Sequence, residues 1–153
     1  MNYQLDENGR VIASSNGRPQ EGMVRIDAPK PEGQHLWDGE KWVPDLDKPA
    51  ILASYRYERE IEGITTNGAE IRTDRETQAV LLGARTKAKE DSNYTTMWKA
   101  VNGFVELTAP EIIAVADAVH DHVQKCFNAE SVVDLNACET EEEIKAAFDA
   151  AYN

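Results

Sequence analysis

A chain of 153 residues has room for one ordinary domain, or for a compact body of about 100 residues with an appendage. Its 41% hydrophobic and 29% charged content is that of a globular protein, and 28 acidic against 16 basic side chains leave a net charge of −12. That excess excludes a sequence-wide grip on nucleic acid, which needs clustered Lys and Arg, and no apolar run approaches the roughly 20 residues of a membrane span.

The N-terminal segment reads as short β-structure. Tyr3-Gln4-Leu5 and Arg10-Val11-Ile12 flank Asn8-Gly9, a dipeptide suited to a tight hairpin turn. Met1 leads directly into polar residues, so no secretory signal is expected, and two cysteines are too few for a disulfide framework. Met23-Val24-Arg25-Ile26 is a further extended run. Leu36-Trp37-Asp38-Gly39-Glu40-Lys41-Trp42-Val43 has a hairpin signature, with Asp38-Gly39 as turn, Trp37 and Glu40 as closing pair, and Trp42 further along the ribbon. Two prolines bracket the polar run from Pro44 to Pro49, which marks a linker. The expected division is a β-rich ribbon and linker over 1–48 and an α+β domain over 49–153.

Beyond the linker, Tyr55 to Glu62 alternates in a way that favours a half-buried strand, although Ile51 through Tyr57 could begin as a helical turn. Asn67-Gly68 signals a hairpin. Thr73-x-x-Glu76 is a capping-box pattern that starts a helix over about 74–91, with Val80, Leu81, Ala84 and Ala88 on its buried face. Asn102-Gly103 supplies the next hairpin. Thr108-x-x-Glu111 caps a second helix with an apolar stripe at Ile112, Ala116, Val119, Val123 and Cys126, widened by Ile113, His120 and Phe127. Thr140-x-x-Glu143 caps a third, with Ile144, Ala147, Phe148 and Ala151 on one face. The pattern predicts an α+β fold: an N-terminal hairpin ribbon joined to a compact domain of hairpins and about three helices.

Charge is unevenly placed along this plan. Residues 1–48 carry 6 basic and 9 acidic side chains, residues 49–100 carry 8 of each, and residues 101–153 carry 2 and 11. The last third is a solvated acidic face in the plain reading, and a docking face for a basic partner in the sharper one.

No motif announces a reaction. There is no Gly-rich phosphate loop, no Gly-x-Ser-x-Gly elbow and no cysteine-nucleophile signature, so no catalytic residue and no cofactor are expected. His120, His122 and Cys126 are the nearest approach to a metal set. His122 and Cys126 share a helical face, whereas the two histidines point roughly 200° apart, and a structural zinc wants four ligands. The expectation is that Cys126 is a small core residue, that His120 borders the apolar stripe and that His122 is solvated. Cys126 and Cys138 are expected to be buried or unpaired thiols. Trp37 and Trp42 admit two readings of equal weight, as cross-ribbon packing or as anchors for a partner surface.

Several of these residues carry a resemblance. Tyr55-Arg56-Tyr57-Glu58, Gly63-Ile64-Thr65, Asn67-Gly68, Ile71, Thr73-Asp74-Arg75, Thr77-Gln78, Leu81, Trp98 to Phe104, Leu107-Thr108, Val123, Cys126-Phe127 and Glu130 together resemble an uncharacterised domain of tailed-bacteriophage tail proteins. The Trp37 to Val43 stretch is similar to a Trp-rich segment of phage tail-fibre assembly proteins. The resemblance implies a non-enzymatic structural or adaptor component of the virion tail, made in the bacterial host cytoplasm and associated with a tail-fibre or tail-tip protein. The alternative it implies is a fibre-assembly chaperone that stays in the cytoplasm. Neither role calls for nucleic acid or membrane insertion, and a homo-oligomer is compatible with both.

Overall fold

Asp6 organises the first turn of the chain, its carboxylate accepting from the backbone N–H groups of Asn8 and Arg10, both at 2.9 Å. In the computed structural model, which describes residues 1–153, strands β1 (Asn2–Leu5) and β2 (Val11–Ser15) flank this turn. Strand β3 (Val24–Arg25) pairs on the other side of β1, giving the antiparallel order β2-β1-β3. A second hairpin, β4 (His35–Trp37) and β5 (Trp42–Pro44), joins it through an Arg10–Leu36 bridge and a Trp37 N–H donated to the Gly9 carbonyl at 2.8 Å. Trp37 pairs directly with Trp42, not with Glu40. The loop is four residues long because the Asp38 carboxylate accepts from the N–H groups of both Glu40 and Lys41 at 2.8 Å, an Asx arrangement that sets the turn.

The expected strand over Tyr55–Glu62 is replaced by a helix, which also takes in Lys48 and Pro49 of the expected linker, while Pro44 ends β5 and residues 45–47 form an irregular connection. Helix α1 spans Lys48–Ile61; the Asp47 side chain accepts from the Ala50 N–H, and Pro49 sits in the first turn, where its missing N–H costs nothing. Its inward face is Leu52, Tyr55, Arg56, Arg59 and Glu60, a pattern of i, i+3, i+4, i+7 and i+8. The period is helical, but charged and aromatic side chains carry it, so a search for apolar residues misses it. The chain therefore has four α-helices where the sequence suggests three.

Gly63 turns the chain into a small hairpin, β6 (Ile64–Thr66) and β7 (Ala69–Ile71), closed by Asn67 and Gly68 at positive φ of 50° and 78°. This is the Asn-Gly turn the sequence announces. Helix α2 (Arg75–Glu90) follows, capped by Asp74, which accepts from the Thr77 N–H at 3.0 Å. The capping box expected at Thr73 is one residue off: Thr73 is fully buried and bonds elsewhere, donating to the Glu60 carbonyl at 2.5 Å and accepting from the Gly63 N–H at 3.0 Å. Of the predicted inner face of α2, Leu81 and Ala88 are buried and Ala84 half-buried, but Val80 is exposed.

Strands β8 (Thr95–Ala100) and β9 (Gly103–Thr108) form the longest hairpin, with Val101-Asn102 as its loop. Helix α3 (Ala109–Val132) starts at once with a capping box, in which Glu111 accepts from the Thr108 N–H at 2.8 Å; the Thr108 hydroxyl also donates to this carboxylate at 2.7 Å. A single 3-10 turn (Leu135–Ala137) leads to helix α4 (Glu141–Tyr152), whose cap Thr140 accepts from the Glu143 N–H. On α4, Ala151 is exposed and Tyr152 packs inward instead, while Ile144 and Phe148 are fully buried.

At about 36 Å, α3 is long enough to serve two cores. Its first half packs with Leu81 and Ala88 of α2, Ile71 of β7, and Ala100 and Leu107 of the β8–β9 hairpin. Its second half contributes Cys126 and Ala129 to a cluster with Leu52 of α1 and Ile144 and Phe148 of α4. The architecture is α+β: four helices with antiparallel strand pairs around them. The ribbon meets the α4 end of the body through the Lys41–Glu139 ion pair at 2.6 Å. No helix is long and apolar enough to cross a membrane.

Candidate functional site

Of the residues singled out for metal chemistry, Cys126 is the small core residue expected, but His122, expected to be solvated, is buried. His122 is buried and His120 exposed, because the buried positions of α3 run 109, 112, 115, 116, 119, 122, 126 and 129. The expected stripe drifted to Val123, which is only half-buried. Nε2 of His122 lies 2.9 Å from the Arg59 carbonyl, which can only accept, so Nε2 carries the proton. Nδ1 then accepts from the Tyr152 hydroxyl at 2.7 Å. Both ring nitrogens are thereby committed to tying α3, α1 and α4 together. Cys126 Sγ lies 4.0 Å from Nε2, fully buried, and burial pushes its thiol above the ordinary range, which disfavours the thiolate a nucleophile needs. No three His, Cys, Asp or Glu side chains converge as metal ligands, and Cys126 and Cys138 are separate buried thiols.

Trp37 and Trp42 are committed in a similar way. Their rings meet edge to face at 5.3 Å, Tyr3 closes on the other side of Trp42 at 5.1 Å, and the Trp42 Nε1–H donates to the Ala28 carbonyl at 3.0 Å. Both remain half-buried, and together with Tyr3 they supply the apolar centre a thin ribbon otherwise lacks.

Two other surfaces stay open. The first is the tip of the β8–β9 hairpin. Strand alternation turns Trp98, Ala100, Val105 and Leu107 toward the core and leaves Met97 and Phe104 on the outer face, with Val101 at the turn. Phe104 is 71% exposed, and Met97 and Val101 are each 62% exposed. The tip is nonetheless rigidly held. Asn102 accepts from the Glu70 N–H at 3.2 Å and donates to the Gly68 carbonyl at 3.1 Å, while the Val101 N–H donates to the Glu70 carbonyl at 2.9 Å. Sequence reasoning recognised the hairpin but gave no function to its outer face; the strand period already placed Met97 and Phe104 together there.

The second open surface is a groove of about 760 Å³ between α2 and α3. At one end, Arg85 Nε donates to Asp117 Oδ1 at 2.8 Å. At the other lies Glu60, which is 1% exposed and paired with Arg56, with Arg75 at 3.5 Å and the Gln78 amide at 3.4 Å. Arg56 also donates to Glu130 at 3.0 Å and stacks over Phe127, 4.5 Å from the ring centroid. The charges at this buried end are thus mutually balanced. Between the two ends the lining is apolar, formed by Ala79, Leu82, Val119 and Val123, and His120 borders it. Leu82 is 65% exposed and stands as a ridge beside the groove.

Comparison with the curated proteins and with the solved structures finds no match. Residues 45–152, from two residues before the α1 cap to the end of α4, match a defined family, and the groove and the hairpin tip both lie inside that span. The chain belongs to the family described as Domain of unknown function (DUF4376).

Proposed function

We propose that the protein is a non-enzymatic structural or adaptor component of a bacteriophage tail, bound to the fibre or tail-tip protein through the β8–β9 hairpin tip. The observation that carries this reading is the exposure of Met97, Val101 and Phe104 on a hairpin fixed by the Asn102 bonds. A rigid apolar projection contributes binding energy without the ordering cost of a flexible loop. The tail assignment is supported by the resemblance carried by Tyr55-Arg56-Tyr57-Glu58, Asn67-Gly68 and Trp98 to Phe104. Mass spectrometry of gradient-purified virions from the phage or prophage that carries the gene tests it. The protein is expected in the particle, in fixed ratio to fibre or tail tip, and Phe104→Asp is expected to remove it while leaving its fold unchanged. Particles that lack the wild-type protein overturn the virion role.

The cytoplasmic chaperone is the second reading, favoured by the acidic excess after residue 100, with Glu141, Glu142 and Glu143 exposed in the first turn of α4. Such an excess of exposed acids keeps a bound fibre subunit soluble during assembly. It predicts presence in lysates, absence from virions and misassembled fibres when the gene is deleted.

A further inference from the structure

The β8–β9 hairpin is a two-stranded sheet, and its two edges are not alike. The β8 edge lies toward β7, where the Val101 N–H donates to the Glu70 carbonyl at 2.9 Å. No strand pairs with the other edge, that of β9. The register tells which backbone groups this free edge offers. Thr108 faces Thr95, and its N–H goes to Glu111, so this pair exchanges no ladder bonds. Antiparallel pairs alternate: Leu107–Thr96 and Val105–Trp98 are bonded, whereas Glu106–Met97 and Phe104–Lys99 are not. The N–H and C=O groups of Phe104 and Glu106 therefore point away from β8, and no turn or loop bond takes them.

We propose, resting on the tail-adaptor reading above, that an extended segment of the tail protein adds to this sheet as a third strand, antiparallel to β9 and bonded to the backbone of Phe104 and Glu106. Natural sheets blunt a free edge with brevity, proline or charge. Strand β9 is six residues long, holds no proline, and has Glu106 as its one charged residue. The Asn102 bonds hold the hairpin in place beforehand, so the ordering cost of strand addition falls on the partner's segment.

The same register gives the chemistry of that segment. The exposed side chains of Phe104 and Glu106 stand on one face of β9, two positions apart. Glu106 has no ion-pair partner within the chain. The added strand accordingly carries an apolar or aromatic residue opposite Phe104 and, two positions away, a Lys or Arg opposite Glu106.

Mass spectrometry of gradient-purified virions tests this with variants at Glu106 in the full chain. Glu106→Pro deletes the outward N–H and sets a ring on the edge, which an edge strand tolerates because that N–H is outside the ladder. Glu106→Lys keeps the backbone and repels a basic residue opposite. Both are expected to be lost from the particle, with circular dichroism and melting temperature unchanged. Should the proline unfold the hairpin, Glu106→Lys decides alone. Wild type present in virions together with undiminished Glu106→Lys, or with folded and undiminished Glu106→Pro, overturns strand addition and leaves the tail reading standing; absence of the wild type overturns both. In sedimentation equilibrium the isolated chain is expected to be monomeric. A dimer that Glu106→Lys abolishes makes a second copy the added strand and also overturns the proposal.

Discussion

The Tyr152 hydroxyl stands 2.7 Å from His122 Nδ1 and joins the last turn of α4 to the middle of α3. Because Nε2 is spent on the Arg59 carbonyl, this hydroxyl is the partner Nδ1 has, and burial raises the Tyr152 phenol above its ordinary value, keeping its proton. Tyr152→Phe preserves the ring over which Lys125 and Arg59 sit at 4.7 and 5.1 Å, so it isolates the hydroxyl. A buried acceptor left alone costs about 1–3 kcal/mol. Urea unfolding followed by far-ultraviolet circular dichroism is expected to show that loss; an unchanged midpoint would refute the assignment.

Thr73 links the end of α1 to the turn before α2 through its two hydroxyl bonds, in a site with no solvent access. Thr73→Val keeps the volume and removes both bonds, leaving the Gly63 N–H and the Glu60 carbonyl short of a partner, at a cost of about 1–3 kcal/mol. Thr73→Ser is expected to retain most of the stability. Equal melting temperatures for the two variants would contradict this role.

The Asp74 carboxyl is held below its ordinary value of 3.8, first by the Thr77 backbone N–H and also by the Thr77 hydroxyl. A depressed folded-state value means that the stabilisation is present in full above the ordinary carboxylate range. It is lost as the pH falls below that range, through the folded value, where the cap takes up a proton. Asp74→Asn caps a helix about as well without titrating. It is expected to match the wild type at neutral pH and to lose less stability on acidification. Superimposable acid-unfolding curves would count against the cap.

Gly9 has φ of 81°, and a Cβ there would stand 2.1 Å from the Trp37 carbonyl oxygen. Gly9→Ala therefore combines left-handed strain, on the order of 1–3 kcal/mol, with a backbone clash that no rotamer relieves. Hydrogen exchange is expected to accelerate through β1, β2, β4 and β5 and to remain unchanged in α3 and α4. Uniform acceleration across the chain would show instead that ribbon and body unfold together.

Cys126 and Cys138 are both buried, and burial raises the Cys126 thiol. Neither is expected to react with a thiol reagent in the native protein, whereas both react in denaturant. Rapid native labelling of one thiol would contradict this packing.

Local chemistry was legible wherever the sequence carries its own signal. Asn67-Gly68, Thr108-x-x-Glu111 and Thr140-x-x-Glu143 specify a turn and two helix starts through bonds spanning a few residues; all three start where expected, although Glu143 gives its carboxylate to the Glu139 N–H and not to that of Thr140. The Asp38 turn was found but its length was not, because a side-chain acceptor serving two N–H groups widened it and set Trp37 against Trp42. Helix α1 was missed because its buried face consists largely of Tyr55, Arg56, Arg59 and Glu60. Such side chains are buried only where partners from other elements, here Glu130, Arg75, Gln78 and Asp149, balance them.

The same reason separates the two levels for the whole molecule. The sequence by itself determined the α+β class, the places of the hairpins, three of the helices and the uneven placement of charge, all properties of neighbouring residues. Only the tertiary structure decided that His122 and not His120 is buried, that Thr73 is a tie and not a cap, that Val80 and Leu82 face outward, and that the α2–α3 groove and the Phe104 tip stay open. Burial on a helix with apolar residues on more than one side depends on which elements arrive, and these arrive from positions up to 94 residues apart, as Tyr55 and Asp149 do.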